Sequence, residues 1–423
     1  MSTLQSVRGM NDVLPESADI WHFISEQLRS LCNLYGYREI RTPLLERTEL
    51  FKRTIGEQTD IVEKEMYTFI DNNGESVTLR PEATASCVRA SVEHGLVHNK
   101  QAKLWYFGPM FRHEKPQKGR YRQFHQFGIE ALGWPGPDID AELLIFASRL
   151  WKRLGVQSVK LEINTLGSSE SRENYKNALV EYLSQYTAEL DEDSQRRLFK
   201  NPLRILDSKN TRTREILKDA PNLFDYLDDS SLQQFTRLQA ILAKADVQYT
   251  VNPGLVRGLD YYTSTVFEWV TDKLGAQSAV LAGGRYDGLV TQLGGKPTPA
   301  AGFAMGIERL IELVLLEGPP MQSILPEVYM VTMGDLAELE GIVLAETLRD
   351  SGIRVHSHFG GGNFKKQFKK ADQSGARYAV VLGETELQQQ MATIKDLRTE
   401  SEQLSVPFQD VAKYLGRGLD TNC

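Results

Sequence analysis

The chain has 423 residues, 41% hydrophobic and 25% charged, the balance of an ordinary globular protein of two to three domains. Its 49 Lys and Arg against 56 Asp and Glu give a net charge of −7, which disfavours a protein that grips nucleic acid through bulk positive charge. No apolar run approaches the ~20 residues of a membrane span, no apolar signal core is visible near Met1, and three cysteines without a CxxC pair exclude a disulfide scaffold and a thiolate zinc site, so a cytoplasmic, multidomain protein is expected.

In chain order, Asp12 to Tyr35 reads as a helix, with Trp21, Ile24, Leu28, Leu31 and Leu34 near helical spacing, Pro15 suited to its first turn and Gly36 ending it. Tyr37 to Pro43 alternates like a strand stopped by proline. Val77–Leu79, Leu104–Phe107 and Phe124–Leu132 are further expected strands. Residues 168 to about 245 have few β-branched residues and helical stretches at Arg172–Tyr186 and Gln233–Ala245, which predicts a helical insertion. Strands resume at Tyr249–Val251, Thr265–Val270 and Ser278–Leu281, followed by a Gly283–Gly284 turn. Gly318–Pro319–Pro320 reads as a linker. Beyond it, strands at Val328–Thr332, Arg354–His358, Tyr378–Leu382 and Met391–Asp396 alternate with helices at Leu336–Asp350, Asn363–Ser374 and Pro407–Leu415, which predicts a small α/β domain. The expected domains are residues 1–167 with 251–320, the insertion 168–250, and 325–423.

Neither a GxxxxGK[ST] loop nor a GxGxxG after a strand is present. Gly360–Gly361–Gly362–Asn363 could seat an anion before a helix but reads better as a strand-to-helix turn. His94 and His98 are spaced i,i+4 without the glutamate of a zinc protease, and no metal site is assigned. The most distinctive stretch is Arg112 to Arg122, where Arg112, Lys115, Lys118, Arg120 and Arg122 face one acid, Glu114. On a strand Arg112 and Glu114 would share a side. A Lys/Arg/Gly loop could close over phosphates, and Phe124 offers an aromatic face for a base. On composition alone a solvated charged hairpin fits equally well.

The sequence Phe111–Arg112–His113–Glu114, a loop, then Arg120 and Phe124 resembles motif 2 of the class II aminoacyl-tRNA synthetases. The first helix leading to Tyr37–Pro43 resembles their dimer-forming motif 1, and Gly302–Phe303–Ala304–Met305–Gly306–Ile307–Glu308–Arg309–Leu310 resembles motif 3. Arg257–Gly258–Leu259–Asp260–Tyr261–Tyr262–Thr263 and Ala282–Gly283–Gly284–Arg285–Tyr286–Asp287 resemble the two signatures of the histidyl-tRNA synthetase family. Arg8–Gly9–Met10–Asn11–Asp12 and Leu79–Arg80–Pro81–Glu82–Ala83–Thr84 are similar to that family too, so the resemblance spans essentially the whole chain.

The resemblance implies an α+β fold: a class II antiparallel sheet of six to seven strands with flanking helices, a helical insertion and a C-terminal α/β anticodon-binding domain. It implies a homodimer that activates histidine with ATP (accompanied by Mg2+, with no prosthetic group) and charges tRNA(His), with no membrane or DNA partner. By resemblance Arg112 and Arg257 are catalytic at the α-phosphate, Arg257 standing where other class II enzymes place a metal ion. Arg112, Glu114, Arg120, Phe124 and Arg309 would bind ATP, with the adenine between Phe124 and Arg309. Glu82, Ala83, Thr84, Gln126, Glu130, Tyr261, Tyr262 and Tyr286 would bind histidine. Gln117 and Arg122 would meet the tRNA acceptor end, and Phe364, Lys365, Lys366 and Phe368 could contribute to reading the anticodon. A catalytically silent paralogue that regulates histidine biosynthesis is the alternative, but such proteins usually lack the C-terminal domain and parts of both signatures, which this chain keeps.

Overall fold

A computed structural model of the chain describes residues 3–57, 59–117, 119–275, 279–319, 325–399 and 402–419. Lys118, Ser278 and Pro320, named above, lie outside the described residues. The chain divides into two compact units, residues 1–321 and 322–423.

The first unit begins with helix α1 (Pro15–Tyr35). Pro15 opens it, where a missing N–H costs nothing, and Gly36 closes it at φ 76°, a left-handed cap that suits glycine. Its buried stripe is Ile20, Ile24, Leu28 and Leu31. Leu34, expected on that stripe, is exposed, because the stripe begins one residue earlier than the spacing from Trp21 suggests. Then follow β1 (Arg38–Glu39), β2 (Leu45–Arg47), α2 (Thr48–Ile55), β3 (Tyr67–Ile70), β4 (Ser76–Leu79), α3 (Thr84–Glu93), β5 (Ala102–Phe111), β6 (Gln123–Leu132), α4 (Pro137–Leu154) and β7 (Lys160–Thr165). Helices α5 (Ser169–Ser184), α6 (Glu192–Arg197), α7 (Thr211–Leu217) and α8 (Asp229–Lys244) form the helical segment. The unit finishes with β8 (Thr250–Val251), β9 (Thr265–Val270), β10 (Ala279–Arg285), α9 (Leu289–Gln292), β11 (Ala300–Gly306) and α10 (Ile307–Glu317).

The main sheet has the strand order β1-β5-β6-β11-β10-β9-β7-β8. Its six central strands pair antiparallel, and only the two-residue edges β1 and β8 pair parallel. The sheet is thus wider than the six to seven strands expected, by these short edges. The strand expected over Tyr37–Pro43 is reduced to β1. Past the Ile40 N–H, which reaches the Trp105 carbonyl at 2.8 Å, the Arg80 guanidinium holds the Thr42 carbonyl at 3.0 Å in place of a ladder bond. A small second sheet, β2-β4-β3, takes one strand from before α2 and two from between α2 and α3.

The core lies on both faces of the main sheet. On one face α1, α4, α8 and α10 bury Ile24, Phe146, Leu150, Leu238 and Leu313 against Phe127, Ile129, Phe267 and Phe303. On the other, Tyr175, Leu179 and Leu183 of α5 join the cluster that contains Tyr261, Tyr262 and Tyr286. The helical segment therefore contributes to both clusters.

The second unit holds β12 (Val328–Thr332), α11 (Asp335–Asp350), β13 (Val355–Ser357), α12 (Phe364–Gln373), β14 (Tyr378–Leu382), α13 (Glu384–Gln389), β15 (Met391–Asp396), β16 (Leu404–Pro407) and α14 (Val411–Leu419). Its sheet order is β13-β12-β14-β15-β16, parallel through β14 and antiparallel beyond. Sequence reading missed α13 and β16, each too short to show a period. The Gly360–Gly362 stretch is a turn with positive φ at all three residues, and the Asn363 side chain caps α12 by accepting from the Lys366 N–H at 2.9 Å.

Candidate active site

Phe124, Gln126, Gly128 and Glu130 alternate along β6 and so share one face of the sheet. The ladder extends that face sideways. Gly128 lies opposite Ala304, Ala304 opposite Ala282, and Ala282 opposite Glu268. One row over, Glu130 lies opposite Gly302, and Gly302 opposite Gly284. This stretch of the face is a floor of glycine and alanine, and two of the glycines are fixed by what leans over them. A methyl group at Gly128 would meet the ring and hydroxyl of Tyr106, and one at Gly302 would meet the Glu130 carboxylate and the Ile129 carbonyl.

A cavity of about 190 Å³ has Ala282, Ala304 and Gly306 of this face in its lining. Arg112, Glu114, Arg120, Phe124 and Gln126 come to it from β6 and the loop between β5 and β6, Glu82 and Thr84 from the start of α3, Arg257, Tyr261 and Tyr262 from the loop before β9, and Arg309 from α10. These eleven expected site residues line one cavity. Ala83, Glu130, Tyr286, Gln117 and Arg122 are not among its lining.

Arg112 and Glu114 stand just beyond the end of β5, so their shared side does not come from strand alternation. The Arg112 Nε–H donates to the Pro81 carbonyl at 2.8 Å, and its guanidinium lies 5.3 Å from the centre of the Phe124 ring. Glu114 is 3.8 Å from Arg112 and 2.5 Å from Arg120, so one carboxylate spaces two cations. Gln117 and Arg120 exchange backbone hydrogen bonds of 3.1 and 2.8 Å around a tight turn. Arg122 is held beside the cavity: its backbone N–H reaches the Gly9 carbonyl at 2.7 Å and its Nε–H the Glu114 carbonyl at 3.4 Å. Arg309 is buried, and burial followed by the like charge of Arg120 holds its pKa below the ordinary guanidinium value.

The opposite end is built of carboxyl and hydroxyl groups. Glu82 is buried and accepts the N–H groups of Thr84 at 2.7 Å and Ala85 at 2.9 Å, capping α3, while burial raises its pKa. Glu130 is fully buried behind the wall. Burial pushes it up to about 8, although the hydroxyls of Tyr286, Thr84 and Tyr106 all donate to it. Burial also raises the phenols of Tyr261, Tyr262 and Tyr286, so all three are neutral donors, with Tyr262 and Tyr286 ring centres 4.7 and 5.6 Å from that of Tyr261. Gln126 lines the cavity, and its Oε1 is buried with no hydrogen-bond partner. Arg257 donates to Glu268 and lies 5.6 Å from the Tyr262 ring.

Two neighbours were not singled out in the sequence. Glu308 lines the cavity and binds His125, and its place beside Arg309 in the Gly306–Arg309 run was the available signal. Glu268 had none, being one acid in an ordinary strand. Arg285, within the Gly–Gly–Arg–Tyr run, belongs to the framework: it is buried and bound to Asp140 at 2.9 Å and to the Trp134 and Gly136 carbonyls. Among the described residues no cluster of three or more His, Cys, Asp or Glu could hold a metal ion.

An antiparallel sheet face with arginines and a phenylalanine at one strand pair, closed by a strand and helix that present a further arginine, defines a class II aminoacyl-tRNA synthetase. Residues 9–310 match the histidyl-tRNA synthetase family model and residues 327–417 an anticodon-binding domain. The chain belongs to the histidyl-tRNA synthetase family. It is 56% identical over 414 residues to the histidine–tRNA ligase of Nitrosomonas europaea, covering 98% of this chain and 99% of that one. The same identity holds for the histidine–tRNA ligase of Nitrosomonas eutropha, over 97% and 98% of the two chains. The crystal structure of apo S. aureus histidyl-tRNA synthetase superposes with a TM-score of 0.83 at 37% identity, over 98% of this chain and all of that one.

Proposed function

We propose that this chain is a histidine–tRNA ligase that joins histidine to ATP as histidyl-adenylate and then passes the histidyl group to the 3′ end of tRNA(His). One observation carries the reading. A single cavity holds a guanidinium-rich end with an aromatic ring and, across Ala282 and Ala304, a hydroxyl and carboxyl end beside Gln126, whose Oε1 is unpaired.

In the first step a carboxylate oxygen of histidine attacks the α-phosphorus, the bond to the β-phosphate breaks, and pyrophosphate leaves. Negative charge grows on the α-phosphate, where Arg112 and Arg257 supply preorganised cations. Arg120, spaced by Glu114, takes the terminal phosphates, and Phe124 and Arg309 hold the adenine. The histidine ammonium donates to Gln126 and to the Glu82–Thr84 corner. Tyr261 and Tyr262 face the imidazole, with Tyr286 and Glu130 behind them. Neutral phenols suit a neutral imidazole, and an apolar side chain there would leave them unpaired. In the second step the ribose hydroxyl attacks the histidyl carbonyl and AMP leaves. Gln117 and Arg122 are assigned to the acceptor end, and Arg122 must release its backbone contacts to serve it.

Mg2+ enters with ATP as part of the substrate, and no prosthetic group is needed. The domain division is 1–167 with 251–320, 168–250 and 325–423, and the working form is a cytoplasmic homodimer without membrane or DNA partners. No described helix is long and apolar enough to cross a membrane. Against the silent paralogue stands the survival of Arg112, Arg257, Arg309 and the paired tyrosines in one cavity. The test is histidine-dependent exchange of labelled pyrophosphate into ATP. Exchange driven by another amino acid and not by histidine would overturn the assignment.

A further inference from the structure

Arg257 sits on a loop, yet the chemistry above requires its guanidinium to hold one position. The loop is tied to the sheet in two steps. Asn252, five residues earlier, donates its Nδ2–H to Glu162 on β7 at 2.7 Å, and Asn164 donates to the Pro253 and Leu255 carbonyls at 3.2 and 3.0 Å. These bonds fix the approach to residue 257 and leave the side chain itself untied. Glu268 supplies that tie: its Oε1 accepts from Arg257 Nη1.

Glu268 stands at a particular place. It ends the Gly128–Ala304–Ala282 row, and on its far side lies Glu162. The floor offers no side-chain acceptor until Glu268, so the first carboxylate along the row is the one that meets the arginine. Both partners are largely buried, their side chains 15% and 17% exposed. Truncating one member of a pair at this depth leaves the other charge without its partner. The second contact, the Tyr262 ring, limits the guanidinium from another side, and Nε is buried without a partner.

We propose that Glu268 is the positioning residue of the first chemical step: it holds the Arg257 guanidinium at the edge of the floor and so sets where the α-phosphate charge is met. The proposal rests on the ligase reading. Glu268 itself touches neither substrate, so its loss should appear in turnover and not in ground-state affinity.

The experiment measures histidine-dependent pyrophosphate exchange, with kcat and both KM values, for the full-length chain and its Glu268→Ala, Glu268→Gln, Arg257→Ala and Arg257→Ala/Glu268→Ala variants. Glu268→Ala should lower kcat by about 10- to 100-fold, in the range of a misplaced catalytic group, with KM for ATP and histidine within about twofold. Glu268→Gln, which keeps an acceptor of the same length, should recover most of that loss. The double variant should be no slower than Arg257→Ala alone, because two residues acting as one unit are not additive. A multiplicative double variant, an unchanged Glu268→Ala, or a faster one would each overturn the proposal. If Glu268→Ala fails to fold, Glu268→Gln decides: kcat near that of the parent chain supports positioning by an acceptor, and kcat as low as Arg257→Ala overturns it. Absence of histidine-dependent exchange in the parent chain would instead defeat the ligase reading.

Discussion

Glu308 clamps His125. Both carboxylate oxygens accept the His125 backbone N–H, at 2.9 and 3.0 Å, and Oε1 lies 2.9 Å from the ring Nδ1. Trp21 packs edge-on against the same imidazole at 4.7 Å. The clamp joins β6 to α10 one residue away from Phe124 on one side and Arg309 on the other. The spacing of the proposed adenine slot is therefore set by the residues next to those that form it. Glu308→Ala should raise KM for ATP by about 10- to 150-fold, the loss expected when a charge-assisted hydrogen bond of about 1.5–3 kcal/mol goes, and leave KM for histidine within about twofold. Steady-state pyrophosphate exchange measures both, and equal rises in the two constants would count against the slot assignment.

Gly302 is a packing requirement. A methyl group there would stand 2.5 Å from the Ile129 carbonyl and closer still to the Glu130 carboxylate, and a backbone oxygen has no rotamer by which to retreat. Gly302→Ala should destabilise the fold by about 1–3 kcal/mol, as overpacked cores do. Gly294, with nothing within 4 Å but a positive φ of 86°, is the contrast: Gly294→Ala meets backbone strain without a clash. Urea denaturation of both variants separates the two causes, with the larger loss expected at Gly302.

Burial holds Glu130 at about 8, against an ordinary glutamate near 4.5. Between those values the folded chain keeps a proton that the unfolded chain has lost. This group's contribution to stability is complete below about 4.5 and is lost as pH rises through 8, with a slope of at most about 1.4 kcal/mol per pH unit. Glu130→Gln, which cannot ionise, should flatten the stability profile between pH 5 and 8. Denaturation midpoints of parent and variant at four pH values check this, and parallel curves would refute it.

Arg257→His should lower the rate of adenylate formation by orders of magnitude, since a neutral, shorter group replaces a permanent cation where charge develops. Histidine binding, measured by calorimetry, should persist. An unchanged rate would remove Arg257 from the chemistry.

The local signals that sequence exposes are those carried by neighbours along the chain. The boundaries of Thr265–Val270, Tyr378–Leu382 and Met391–Asp396 were legible because apolar strands bounded by turn residues leave a clear pattern. The edge strand at Arg38–Glu39 came out shorter than its alternation because Pro43 cannot donate and Arg80 intercepts the Thr42 carbonyl. In the site, eleven of the residues named from motifs line one cavity while Ala83, Gln117, Arg122, Glu130 and Tyr286 do not, and Glu268 depended on the register of β9 against β10, which no local pattern encodes. The place of Glu130 behind the wall was not legible in the sequence: three hydroxyls from residues 84, 106 and 286 converge on it only after folding.

The glycine and alanine floor has a kinetic meaning. Peptide planes and alanine methyls have no rotamers, so little at Ala282 and Ala304, where the floor meets the cavity, must be immobilised when a ligand binds. The ordering required on binding falls instead on the arginines and loops around the rim, which carry long side chains with freedom to lose. The sheet face acts as a fixed datum against which the rim side chains are ordered.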